Sequence, residues 1–136
     1  MTITTTPHLN FRGDARAALE FYQSVFGGEL KVNTFGEFGN PDPAIKDLVM
    51  HANLDTPRGY RLMASDTAPG MTLNPGNNIT CSLSGDPGEG LDEVWAKLSE
   101  GGEVHVPFEK QMWGDTFGQC VDKYGVPWMV NVAQDD

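Results

Sequence analysis

The feature that most constrains this chain is a duplication. Phe21-Tyr22, Val25 and Gly27-Gly28-Glu29-Leu30 are echoed by Val94-Trp95, Leu98 and Gly101-Gly102-Glu103-Val104, with Gly28 and Gly102 74 positions apart. Each copy is an amphipathic helix running into a glycine stop. In the first, Asp14 is placed to cap the start, and Ala15, Ala18, Leu19, Tyr22, Val25 and Phe26 recur at helical spacing. The second begins near Gly90 and carries Leu91, Val94, Trp95 and Leu98 at i, i+3, i+4 and i+7. Short β-type runs occupy 3–11, 29–35, 46–54, 60–65, 77–83, 103–108, 116–122 and 127–132. The order is strand, helix, three strands, given twice. A repeat this long means two copies of one supersecondary unit, not a solenoid. The expected fold is α+β: a single domain of residues 1–136 built from two βαβββ units, 1–66 and 77–136. The joint is 67–76, where Pro69, Gly70, Asn74, Pro75 and Gly76 cluster.

Charge and cysteine usage narrow the function classes. Nineteen acidic residues against nine basic ones leave a formal charge of −10. Binding a phosphate backbone or an anionic lipid surface needs clustered Lys and Arg, so no nucleic-acid or membrane partner is expected. The opening Met-Thr-Ile-Thr-Thr-Thr-Pro has neither a basic end nor an apolar run of secretory type. Cys81 and Cys120 sit in apolar strands without Cys-x-x-Cys spacing, which suits a reducing cytoplasm and reads as two buried structural thiols.

Strand residues alternate sides, so each strand divides into a face under a helix and a face away from it. Leu9 and Phe11 oppose His8 and Asn10. Leu48, Met50, Ala52 and Leu54 oppose Val49, His51 and Asn53; Ile79, Cys81 and Leu83 oppose Asn78, Thr80 and Ser82. Trp128, Val130 and Val132 oppose Met129 and Asn131, and His105 opposes Val104 and Val106. All three histidines thereby fall on the non-helix side, in a row poor in Lys and Glu and rich in Asn, His and Thr. Two readings of that row stand: a lined concavity for a small molecule, and the water-facing side of an antiparallel sheet.

Within the row, His51 is the candidate acid or base, since a strand-borne imidazole titrates near neutral pH; a histidine hydrogen-bonded within its sheet is the competing reading. Asp66 is placed to hydrogen-bond a ligand or His51, or simply to start a turn. Trp113, in Gln111-Met112-Trp113-Gly114-Asp115, belongs to a loop where an aromatic is not explained as core, and it suits a lid or a partner contact. Trp95 and Trp128 read as core. No Gly-x-Ser-x-Gly elbow supports nucleophilic hydrolysis.

The doubled unit is similar to the vicinal oxygen chelate superfamily, which includes glyoxalase I, extradiol dioxygenases, fosfomycin-modifying enzymes and bleomycin-binding proteins. Pro7-His8-Leu9-Asn10-Phe11-Arg12-Gly13, Ala18-Leu19-Glu20-Phe21-Tyr22, Phe26-Gly27-Gly28, His51-Ala52-Asn53-Leu54, Leu62-Met63-Ala64-Ser65-Asp66 and Asp122-Lys123-Tyr124-Gly125-Val126-Pro127-Trp128-Met129-Val130-Asn131 resemble its PhnB-like branch. The resemblance implies a sheet cup with helices outside, and metal ligands on the cup side of the first, fourth, fifth and eighth strands. Those places fall near Thr6, Met63 or Ser65, Asn78 and Met129, none a good divalent ligand. No metal and no cofactor are therefore expected, the alternative being a relocated site of His8, His51 and His105. The branch also carries a ubiquinone-pathway methyltransferase label. A doubly wound methyltransferase needs a glycine-rich turn after its first strand, whereas Gly85-Asp86-Pro87-Gly88-Glu89-Gly90 precedes the second helix.

The functional expectation is a homodimeric protein acting on an unidentified small molecule through His8, Asn10, His51, Asn53, Asp66, Asn78, Trp113, Met129 and Asn131. Two classes remain: a small-molecule enzyme with His51 as acid or base, and a metal-free sequestering protein of the bleomycin-resistance kind, in which Trp113 stacks on a cationic or aromatic compound.

Overall fold

A computed structural model describes residues 3–68 and 70–134. The chain divides into two compact units that meet between Pro75 and Gly76. The first contains β1 (His8–Phe11), α1 (Ala15–Phe26), β2 (Glu29–Thr34), a 3-10 turn (Gly36–Phe38), β3 (Val49–Asp55) and β4 (Arg61–Asp66). The second contains β5 (Cys81–Gly85), α2 (Leu91–Ser99), β6 (Glu103–Lys110), β7 (Thr116–Val121) and β8 (Pro127–Val132). Each unit is thus βαβββ, and each sheet has the same order, β1-β4-β3-β2 and β5-β8-β7-β6. The first strand of each runs parallel to the last, and the other pairs are antiparallel.

In the first unit α1 buries Ala15, Ala18, Leu19, Tyr22 and Val25 against Phe11, Val49, Ala52, Leu54, Leu62 and Ala64. Asp14 does not cap this helix with its side chain. The buried Asp66 does: one carboxylate oxygen accepts from Gly13 N at 2.8 Å and Ala15 N at 3.0 Å, and the other from Val49 N at 2.9 Å. In the second unit Trp128, Leu98, Cys120 and Val130 form the core, with the Trp128 indole N–H donating to Asp122 at 2.8 Å. Trp95 stacks on Phe108 with ring centroids 5.4 Å apart, over Gly118, where any Cβ would collide with the indole. The duplicated Gly-Gly has one cause in both copies. A Cβ at Gly28 would strike the Asp55 carbonyl, and one at Gly102 the Val121 carbonyl.

Several expected details differ. The run at 77–83 becomes a strand over Cys81–Gly85, leaving Asn78 in an exposed bend and Ile79 78% exposed. Val49, expected on the polar side, is buried, because the β2/β3 register slips between Asn33 and Thr34 and turns it inward. A second slip governs β6. Val104 pairs with the core-facing Cys120 but Val106 pairs with Gln119, so the two valines face opposite ways and His105 occupies the bulge between them. Among the described residues, no helix is long and apolar enough to cross a membrane.

Asp66→Ala should remove the acceptor of three backbone donors, two of them in buried bonds, and destabilise the protein by about 3 kcal/mol or more. Asp66→Asn should recover part of that loss. Urea unfolding checks both, and an unchanged midpoint for Asp66→Ala would remove the anchoring role.

Candidate functional site

The side of the first sheet facing away from α1 carries polar and titratable side chains. Its registers assemble two rows. His8, Met63, Asn53 and Lys31 are successive cross-strand partners, and the next row along contains Asn10 beside Ser65 and His51 beside Asn33. His8 and His51, in sequence 43 positions apart, lie with ring centroids 5.9 Å apart at a 49° tilt. His8 Nε2 and Ser65 Oγ are hydrogen-bonded at 2.9 Å, and Ser65 Oγ donates to Asn10 Oδ1 at 3.3 Å. Burial, and secondarily the neighbouring His51, lower the His8 pKa below its ordinary 6.5, which favours the neutral imidazole at neutral pH. The His51 side chain has no hydrogen bond or ion pair among the described residues.

Asn53 is oriented by its neighbour. Its Nδ2 donates to Asp55 Oδ2 at 2.8 Å, and the other Asp55 oxygen is ion-paired with Arg61 at 3.1 Å. A carboxylate only accepts, so the amide nitrogen must face it. The Asn53 Oδ1 is buried without a hydrogen-bond partner among the described residues.

The second sheet presents the corresponding rows with different groups. Ser82, Met129, Gln119 and Val106 are cross-strand partners, as are Ser84, Asn131, Phe117 and Glu109. Asn131 Nδ2 donates to Asp115 at 2.9 Å, and Trp113, 56% exposed, meets Phe117 edge to face with centroids 6.0 Å apart.

The structure therefore brings His8, Asn10, His51 and Asn53 together on one face of the first unit. Met129 and Asn131 share a face of the second, with Trp113 beside them through Phe117. Two expected participants, Asp66 and Asn78, lie elsewhere, as does His105 of the alternative metal site. Asp66 is on the helix side, its carboxylate committed to backbone donors. Asn78 precedes its strand, and His105 sits on the β6 bulge 3.5 Å from Glu103. Ser65, Lys31 and Phe117 were not singled out as ligand contacts by the sequence. The parity of Ser65 with Met63 was visible, but its pairing with Asn10 depends on the parallel β1/β4 contact.

Neither thiol is suited to nucleophilic work. Burial pushes Cys120 up to about 11 and also raises Cys81, with Asp122 adding to both. At the places where the resemblance puts metal ligands, the side chains are hydroxyl, thioether and amide rather than imidazole or carboxylate. Met63 and Met129 hold equivalent places in the two sheets, Ser65 is bonded to His8, and Asn78 lies off the strand.

Comparison with known proteins agrees with this architecture. The family described as 3-demethylubiquinone-9 3-methyltransferase matches residues 3–131. Protein PA1353 from Pseudomonas aeruginosa is 34% identical, with 98% of this chain and 100% of that one covered and a TM-score of 0.88. The PhnB protein from Bacillus cereus is 26% identical, with 96% and 100% covered and a TM-score of 0.75. A glyoxylase/bleomycin resistance protein/dioxygenase domain from Frankia sp. EAN1pec, 16% identical over 99% of this chain and 94% of that one, shares the fold with a TM-score of 0.67. With the family match spanning nearly all of both units, the chain belongs to the 3-demethylubiquinone-9 3-methyltransferase family, of the PhnB-like kind.

Proposed function

We propose that the protein is a small-molecule enzyme that performs acid–base chemistry on the polar face of its first sheet, with His51 as the acid or base. The observation that carries this reading is the His8–His51 pair, 5.9 Å apart, with one imidazole tied into the Ser65–Asn10 hydrogen bonds and the other unpartnered among the described residues. An imidazole can exchange a proton with a substrate, and the Asn10 and Asn53 amides can orient polar groups beside it. The methyltransferase label fits less well. Each sheet is mixed, with one parallel pair, and lacks the succession of parallel β-α units on which doubly wound methyltransferases hold their cofactor. The reading includes a cytoplasmic homodimer that works without the superfamily's metal, because the side chains at those ligand places supply neither imidazole nor carboxylate.

A second reading, a metal-free sequestering protein, draws on the exposed Trp113 against Phe117, close to the Asp115 carboxylate that holds Asn131. An indole beside a carboxylate suits a cationic or aromatic compound.

The two readings diverge under substitution. In an enzyme, His51→Ala should cut turnover by about 100-fold or more while changing ligand affinity by no more than about threefold. In a sequestering protein, Trp113→Ala should be the more damaging change. Screening a small-molecule library by thermal shift and following consumption of the hits measures both, and wild-type behaviour in both variants would leave the polar rows as solvated sheet surface.

Elemental analysis of the purified protein should find no stoichiometric Zn, Ni, Mn or Fe, and chelators should leave its melting temperature unchanged. About one transition metal per chain would overturn the metal-free reading.

The lowered His8 pKa gives a pH dependence of definite sign. The folded state binds this proton less well than the unfolded chain, so the contribution of His8 to stability is complete above 6.5 and is lost as pH falls from there through the lower folded value. NMR should place the His8 midpoint below 6.5, and His51→Gln should raise it only in part, since burial is the larger cause. A midpoint at or above 6.5 would contradict this placement.

A further inference from the structure

We propose that the His8–His51 face of the first unit is built for a small oxyanion, a carboxylate or phosphate-type group carried by the substrate. The inference rests on that face being the substrate site and names the chemical class it selects.

The chain as a whole has a charge of −10, yet among the described residues no carboxylate is bonded to either imidazole of this face. Asp55, at the end of β3, is ion-paired with Arg61 of β4 and accepts from Asn53. Glu37, in the 3-10 turn after β2, accepts from the Asn33 amide at 3.3 Å. Glu29, at the start of β2, pairs in register with Asp55 at the far edge, two positions from Lys31 and four from Asn33. The cationic and titratable groups lack such partners. Among the described residues Lys31 forms no ion pair, nor does Arg12, which follows Asn10 by two positions. Among the described residues His8 is hydrogen-bonded to a neutral hydroxyl and His51 has a ring contact with His8 but no ion pair.

An imidazole pair without a carboxylate partner has a distinctive ligand preference. A histidine that must carry charge permanently is normally given an acid beside it, and here each imidazole has only the other, which disfavours double protonation. An oxyanion placed between them supplies the missing countercharge, accepts their N–H donors as charge-assisted hydrogen bonds, and relieves the repulsion between them. Lys31, in the same cross-strand row as His8, adds an ammonium group. A cationic ligand would find like or potentially like charges on Lys31, His8 and His51, with the Glu29 carboxylate standing a row beyond Lys31 at the far edge. The Asn10 amide nitrogen supplies a donor for a remaining oxygen of an anion, its own oxygen being held by the Ser65 hydroxyl. Binding of this kind takes up protons, so affinity declines as pH rises.

The experiment is an NMR titration of the imidazole resonances of the whole chain with acetate, with inorganic phosphate and with ethylammonium, each against chloride at matched ionic strength. Acetate or phosphate should shift both His8 and His51 saturably and raise both midpoints, and affinity should fall about tenfold or more between pH about 5.5 and about 8. The arm that binds more tightly separates a carboxylate from a phosphate-type group. His51→Gln should weaken anion binding about tenfold, and Lys31→Gln should weaken it several-fold without altering its pH dependence. An equal response to chloride, or no saturable response to either anion, would overturn the proposal. A saturable response to ethylammonium alone would overturn the anion class while leaving the face as the binding site. If library hits bind but are indifferent to both His8→Ala and His51→Ala, the underlying site assignment fails as well.

Discussion

The carboxylate of Asp66 holds together the parts on which the rest of the first unit depends. It stands at the end of β4 and accepts from the backbone at the end of β1, the start of α1 and the start of β3. The β1–α1 junction, the start of β3 and the end of β4 are distant in sequence, so a single side chain fixes the helix against the sheet and sets the axial position of three strands at once. Position along the strands is what matters for the opposite face. His8 and Asn10 of β1, Ser65 of β4 and His51 of β3 meet because their strands are held in one register, and a shift of one residue in any of them would send its polar groups into the core. The acid read from the sequence as a ligand contact or a turn starter therefore positions the histidine-bearing face from behind.

Duplication explains why there are two such faces, and divergence explains why one bears the imidazoles. In the sheet registers, His8 corresponds to Ser82, Met63 to Met129, Asn53 to Gln119, His51 to Phe117 and Ser65 to Asn131. Scaffold requirements are retained across the copies: glycine where a strand passes close behind at Gly28 and Gly102, methionine at the centre of each face, and parallel pairing of the outer strands. The functional groups are exchanged. Where the first copy has an imidazole pair joined to a hydroxyl, the second has an aromatic ring, an amide and the Trp113 edge. A sheet position facing away from the core is under little packing constraint, so chemistry can change there without disturbing the fold.

Most of the architecture was legible because it is written in local periodicity. Ala15, Ala18, Leu19, Tyr22 and Val25 mark one helix face, the Gly-Gly pairs mark its end and the repeat supplies the second copy. The site was legible only where alternation holds without interruption. His8 and Asn10 lie on an unbroken strand opposite Leu9 and Phe11, and Asn53 lies two positions from His51, so all four were placed correctly on the side away from α1. The failures fall at register slips. Val49 turned inward and His105 was displaced onto a bulge because an extra residue reverses parity, and nothing in Val-Met-His or Val-His-Val announces one. Asn78 failed for another reason: its strand begins at Cys81, and the polar alternation before it belongs to a bend. The bond between His8 and Ser65 joins residues 57 apart through a parallel pairing, which local periodicity does not encode.

Asn53 shows how the scaffold and the face are coupled. Arg61 holds Asp55, Asp55 takes the Asn53 amide nitrogen, and the amide can then turn only at the cost of setting its carbonyl oxygen against a carboxylate. The oxygen is consequently fixed in an unpartnered, buried position on the same strand as His51, at a cost of roughly 1–3 kcal/mol. Leucine at this position would avoid that cost, and the neighbouring β3 positions Ala52 and Leu54 show that this strand accommodates apolar side chains where the core requires them. An oriented acceptor left without a donor, in a row with His8 and Lys31, is the arrangement expected where hydrogen-bonding capacity is reserved for something other than the fold. Its orientation comes from Asp55 and Arg61, at the end of the β3–β4 hairpin opposite Asp66, so the face is held at both ends: by a carboxylate gathering backbone donors at one, and by an ion pair setting an amide at the other.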